Sequence, residues 1–115
     1  MRAADVRNLI RFNTRMGMFV CPSERAAVVA FLHGYEYAAG GECGFTAALG
    51  ERLAKRHRVK PDALGWPRQV SRLAERRSLE WMDVYLLVSS EVLGVASAGQ
   101  DAEPSAAADT GGVTA

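Results

Sequence analysis

The stretch LEWMDVYLLVSSEVL, residues 79–93, constrains the fold of this chain more than any other segment. Apolar side chains recur in it at helical spacing along two adjacent stripes: Trp81, Tyr85, Val88 and Val92 on one, and Leu79, Met82, Leu86 and Leu93 on the other. A helix that is apolar over so wide an arc needs neighbours on most of its sides. We therefore predict that this helix lies at the centre of a bundle, with Ser78 as its N-cap.

Four further segments with helical periodicity precede this one. They predict helices over residues 4–16, 22–39 and 45–58 and a short helix that begins at Trp66. Gly17 suits the left-handed conformation that ends a helix, so it is the predicted end of the first helix. Pro22 fits the first turn of the second helix, and Pro61 is expected to stop the third. Gly34, inside the second helix, favours the close approach of another helix. The prediction is an all-α fold, a single compact bundle of about five helices.

The composition changes near the end of the chain. Residues 97–115 are mainly Ala, Gly, Ser and acidic residues, with one Val and no aromatic residue. Such a segment cannot bury enough apolar surface to offset the entropy of ordering. We predict a helical domain over residues 1–96 and a disordered tail over residues 97–115. No apolar run approaches the roughly 20 residues of a membrane span, so we expect a cytoplasmic protein without membrane contact.

Candidates for catalysis or metal binding are few. A catalytic thiol–imidazole pair would have to combine Cys21 or Cys43 with His33 or His57. Neither cysteine lies in the sequence context of a known nucleophile. His33 and Glu36 form a ligand pair at helical spacing, and the sequence contains one such pair. A helical site for two metal ions needs pairs of this kind to be repeated. The GGECG stretch follows a helix rather than the strand of a phosphate-binding loop. We predict a non-enzymatic protein without cofactor, whose cysteines are reduced thiols or, alternatively, one disulfide.

Charge is distributed in blocks, although the formal net charge is only +1. Residues 50–77 contain nine Lys or Arg and three acids. In the fourth helix Arg68, Arg72 and Arg76 recur every four residues and share a stripe opposite the apolar face. Such a stripe either faces solvent, binds an acidic protein or contacts phosphates. The small net charge and the long Pro-containing connection between these helices disfavour a helix-turn-helix protein.

A second candidate patch flanks the apolar face of the second helix. His33, Glu36 and Tyr37 lie at its edge, and a tyrosine beside polar groups is typical of protein interfaces. We take these residues, together with Arg68, Arg72 and Arg76, as the candidate partner-binding residues.

Several short motifs together carry a family resemblance: RMGMF, AFLHGYEYA, GWPRQV and the apolar stretch of residues 79–93. The chain resembles small bacterial proteins with an R-P-G-M-Y element followed by F-L-x-G-Y, which are similar to immunity proteins of polymorphic toxin systems. Met16 stands where that pattern has Pro, and Phe19 where it has Tyr. The resemblance covers residues 9–93.

The resemblance implies a protein that binds and neutralises a cognate bacterial toxin, so that its partner is a toxin domain. Two alternatives stay open at this point. One is a nucleic-acid-associated regulator that uses the basic block of residues 50–77. The other is a structural or assembly adaptor for another bacterial protein. The sequence predicts no oligomeric state.

Overall fold

Five α-helices follow one another along residues 1–95, which are the residues that the computed structural model describes. They are α1 Ala3–Thr14, α2 Arg25–Ala38, α3 Phe45–Lys55, α4 Trp66–Arg77 and α5 Trp81–Leu93, and a 3₁₀ turn, Met16–Met18, follows α1. The described part of the chain contains no strand, so the prediction of an all-α bundle is confirmed. The predicted tail and residue 96 lie outside the described residues.

Helix α5 is the centre of the bundle, as predicted. It packs against α1, α3 and α4, and the side chains of Val84, Tyr85 and Val88 are fully buried. The predicted N-cap is wrong, because α5 begins later and Glu80 precedes its first residue. Ser78 instead ends α4 in the left-handed conformation.

Helix α2 differs most from its prediction. It begins at Arg25, and Pro22 and Ser23 lie in the connector, where the Ser23 hydroxyl donates to the carbonyl of Val20 rather than capping a helix. A methyl group in place of the Gly34 hydrogen would meet no atom within 4 Å. The predicted close helix approach is therefore wrong, and the outer face of α2 is uncovered by any part of residues 1–95. Gly17 lies in the 3₁₀ turn instead of terminating α1.

Aromatic rings fill the core in two groups. Phe12 and Phe31 stack at 4.0 Å between ring centroids, with Phe19 edge-on to both. On the other side Trp81 stacks on Tyr85 at 5.7 Å and Trp66 lies against both rings. These groups join α1 to α2 and α4 to α5.

The two cysteines are free thiols in this structure. Cys21 is exposed, whereas Cys43 is buried, and burial raises the pKa of the Cys43 thiol. None of the helices in residues 1–95 has the length and apolar character needed to span a bilayer.

Candidate partner-binding surface

The turn after α3 brings the two halves of the basic block together. After Lys55 the chain reverses through Arg58, and the amide of Val59 donates to the carbonyl of Leu53 at 2.9 Å. The guanidinium of Arg76, on α4, donates to the carbonyls of His57 at 2.9 Å and Arg58 at 3.4 Å. The cations of the turn and those of α4 therefore form one surface. We call it the basic face, and it comprises the exposed residues Arg56, Arg58, Lys60, Arg68, Arg72, Arg76 and Arg77.

A buried polar network supports the basic face from below. The carboxylate of Glu91, on α5, accepts hydrogen bonds at 2.9 Å from Arg52 Nε and from His57 Nε2. The other ring nitrogen of His57, Nδ1, lies 3.3 Å from Arg77 Nη2. Burial raises the pKa of the Glu91 carboxyl, but the hydrogen bonds from Arg52 and His57 outweigh burial and lower it overall. The network ties α3, α4 and α5 together beneath the cations.

The predicted arginine stripe is present, but its three members differ. All three side chains are exposed. Arg72 pairs at 2.8 Å with the nearly buried carboxylate of Asp62, and Arg76 holds the turn after α3. The Arg68 side chain has no hydrogen-bond or ion-pair partner in the described part of the chain. Two of the three arginines therefore also fasten a loop to α4.

The second predicted patch is divided by the structure. The carboxylate of Glu36 accepts hydrogen bonds from the Thr46 amide at 2.7 Å and the Thr46 hydroxyl at 2.6 Å. Because the first amides of a helix lack partners inside the helix, Glu36 caps α3. His33 and Tyr37 remain exposed one turn apart on the outer face of α2, with Tyr37 90% exposed and His33 edge-on to Trp66. Of the three predicted residues, His33 and Tyr37 are the exposed ones, and Glu36 is partly buried.

The strained position of Arg58 was not predicted from the sequence. Its φ angle of 60° is left-handed, a conformation in which glycine is preferred and other residues are destabilised. Strain of this kind is common at functional sites. The segment KRHRV gave one indication of this conformation, because the third helix ends there without the glycine that commonly adopts it.

Arg58→Gly is expected to stabilise the protein by about 0.5–1 kcal/mol, because glycine adopts the left-handed conformation without steric conflict. Urea unfolding monitored by circular dichroism measures this gain. Arg58→Ala is the matched control, since it removes the same charge and keeps the Cβ atom. An equal gain in both variants would attribute the effect to charge and contradict the assignment of backbone strain.

The site contains hydrogen-bond donors and positive charge. Guanidinium and ammonium groups bind carboxylates and phosphates, with arginine able to form two parallel hydrogen bonds. Within residues 1–95, His, Cys, Asp and Glu form no group of three or more that could hold a metal ion. The fold and the site together define a small all-α protein with a fixed cationic face. Comparison with family models, curated proteins and solved structures gave no significant match.

Proposed function

We propose that the protein is a non-enzymatic module that binds an acidic protein partner through its basic face. The observation that carries this proposal is the junction of the turn after α3 with α4, where Arg76 joins two cationic segments. A surface fixed in this way loses little side-chain and loop entropy on binding. Its charge also increases the rate of encounter with an acidic partner.

The resemblance to immunity proteins supports a toxin domain as the partner and the cytoplasm as the location. Neutralisation needs no catalysis, because a bound protein that covers the toxin's active site is sufficient. A stable interface buries about 800 Å² per partner, more than one short helix offers. The basic face extends over α4 and the turn after α3, so both elements contribute to the contact.

Nucleic-acid binding is the second candidate function. The observation in its favour is that several exposed cations of the basic face, Arg68 among them, have no anionic partner in residues 1–95. Phosphate contacts of this kind give an affinity that falls steeply with salt concentration. The two functions therefore differ in which molecule co-purifies and in how its binding depends on salt.

Arg56→Gln, Lys60→Gln and Arg68→Gln together are expected to weaken binding of the partner about tenfold, or about 1.4 kcal/mol. These side chains are exposed and form no ion pair within the described residues, so the fold is preserved. The partner is first isolated from the host on the tagged full chain and identified by mass spectrometry. Calorimetric titration then compares the variant with the unmodified protein.

The matched control carries Arg7→Gln, Arg11→Gln and Arg15→Gln, which remove the same charge from α1 and from the residue that follows it. We expect this control to bind the protein partner with unchanged affinity. Equal affinities of both triple variants and the unmodified chain would contradict the assignment of the basic face. Co-purification of DNA or RNA, with a salt dependence that decreases in the basic-face variant, would establish the nucleic-acid function instead.

A further inference from the structure

Helix α2 has an exposed face that carries no Lys, Arg, Asp or Glu. Ala26, Ala30, His33 and Tyr37 recur along it at helical spacing, and all four are exposed. We call these four residues the α2 row. The outward face of a helix in a globular protein ordinarily carries charged side chains. Tyr37 is 90% exposed, more than any other large apolar or aromatic side chain in residues 1–95, so the row ends in a projecting ring.

An open groove lies at the other end of the α2 row, between α2 and the start of α4. It has a volume of about 620 Å³ and is lined by Glu24, Arg25, Ala26, Val29, Ala30 and Pro67. Arg25 is already engaged, because its guanidinium donates to the Ser71 hydroxyl at 2.8 Å and lies 5.7 Å from the centre of the Trp81 ring. Small and apolar side chains therefore form most of the lining, beside the N-terminal half of the row.

The ring and the groove are spaced so that this face is complementary to itself. The groove residues Ala26 and Ala30 are centred on residue 28, about 14 Å from Tyr37 at the helical rise of 1.5 Å per residue. His33 lies close to midway between them. In a two-fold dimer every contact occurs twice, with the same two positions exchanged between the copies. Two antiparallel α2 helices that cross near His33 therefore place Tyr37 of each protomer over the groove of its partner.

The distribution of charge favours a second copy on this face over the outer faces of α1 and α4. Arg7 and Arg11 on α1, and likewise the exposed arginines of α4, would bring like charges together if either face met its own copy. The α2 row brings no such charges together. Ala30 is small, and a methyl group added at Gly34 would meet no atom within 4 Å, so a second helix has room to approach closely.

We propose that the protein forms a two-fold dimer through the α2 row, in which Tyr37 of each protomer fills the groove of the other. A buried aromatic side chain removes about 150–250 Å² from water, so the two rings provide a large share of the contact. A standard interface buries about 800 Å² on each partner, and one helix face offers less. The dimer is therefore reversible, with a dissociation constant in the micromolar range. The α2 row contains no residue of the basic face, so the dimer carries two copies of that face.

Sedimentation equilibrium of the full chain tests this proposal. We expect the average mass to rise from one copy toward two as the protein concentration increases through the micromolar range. Tyr37→Ala should weaken the dimer at least about tenfold, because a central aromatic anchor is lost. Met18→Ala is the matched control, since Met18 is 75% exposed in the 3₁₀ turn and lies outside the row and the groove lining. A chain that stays monomeric at every concentration, or an equal loss in both variants, would overturn the proposal.

Two variants of opposite charge locate the two-fold axis. His33→Glu and His33→Lys each place like charges beside one another at the axis, so each variant alone should be largely monomeric. An equimolar mixture of the two should recover the dimer, because the facing charges are then opposite. Circular dichroism should show unchanged helix content, since His33 and Tyr37 are exposed. Unchanged dimerisation of both single variants would place the interface elsewhere and overturn the proposal, as would a mixture that remains monomeric.

Discussion

Tyr85→Ala is expected to destabilise the protein by about 3–5 kcal/mol, the range for removing a large aromatic side chain from a core. Tyr85 is 0% exposed and is the largest of the fully buried side chains. Its ring stacks on Trp81 and lies against Trp66, so its removal opens a cavity between α4 and α5. Since domains of this size are stable by about 5–15 kcal/mol, urea unfolding should show a markedly lower midpoint.

Tyr85→Phe separates the ring from its hydroxyl group. The hydroxyl donates to Asn13 Oδ1 at 2.8 Å, and burial raises the pKa of Tyr85, so the group is neutral at physiological pH. The loss of one buried hydrogen bond should destabilise the protein by about 1–2 kcal/mol, less than the loss of the ring. Equal effects of Tyr85→Ala and Tyr85→Phe would contradict the central position of α5.

Glu91→Ala is expected to destabilise the protein by about 2–3 kcal/mol, because Arg52 and His57 lose a shared, largely buried acceptor. Glu51→Ala is the matched control on the same surface. Glu51 pairs with Lys55 at 2.9 Å, but both side chains are well exposed, so its removal should change stability by less than about 1 kcal/mol. Urea unfolding at neutral pH compares the two, and similar losses would show that the Glu91 network contributes no more than a surface pair.

The same substitution should change the dependence of stability on pH. The pKa of Glu91 is lower in the folded protein than its ordinary value, because the hydrogen bonds from Arg52 and His57 outweigh the effect of burial. Its contribution is therefore fully present above the ordinary carboxyl pKa of about 4.3 and is lost as pH falls toward the folded-state value. Unfolding free energies measured from pH 7 to pH 3 should decrease less steeply in Glu91→Ala than in the unmodified protein.

The helices and the centre of the bundle could be predicted from the sequence because they depend on apolar periodicity. That signal places α5 correctly through Tyr85 and Val88, and it places the start of α4 at Trp66. The first residues of α2 and α5 were misplaced because Ser23 and Ser78 have the residue type of an N-cap, whereas the Ser23 hydroxyl donates to the nearby carbonyl of Val20 and Ser78 ends α4 in the left-handed conformation. The predicted close approach of another helix at Gly34 was also wrong, since a glycine inside a helix does not show whether a neighbouring helix is present.

Polar side chains account for most of what the sequence could not predict. The Tyr35 hydroxyl donates at 2.7 Å to Asp5, and this bond lowers the pKa of the Asp5 carboxyl. Glu36 was predicted as an interface residue, and its capping of α3 was not predicted. The contacts of His57 and Glu91 join residues 34 positions apart. Pairings across such separations follow from the packing of helices, so periodicity in a single segment cannot reveal them.

The one-sided attachment of α2 has a consequence for the fluctuations of the native state. Among the residues of this helix only Val28 and Leu32 are fully buried, whereas α5 buries residues along its whole length. Detaching α2 exposes less apolar surface than unfolding the whole bundle, so its opening free energy lies below that of global unfolding. Hydrogen exchange should therefore proceed through at least two classes of opening, with the amides of α2 exchanging while α3, α4 and α5 stay assembled. A partner bound to the basic face would then protect α2 less than the rest of the bundle.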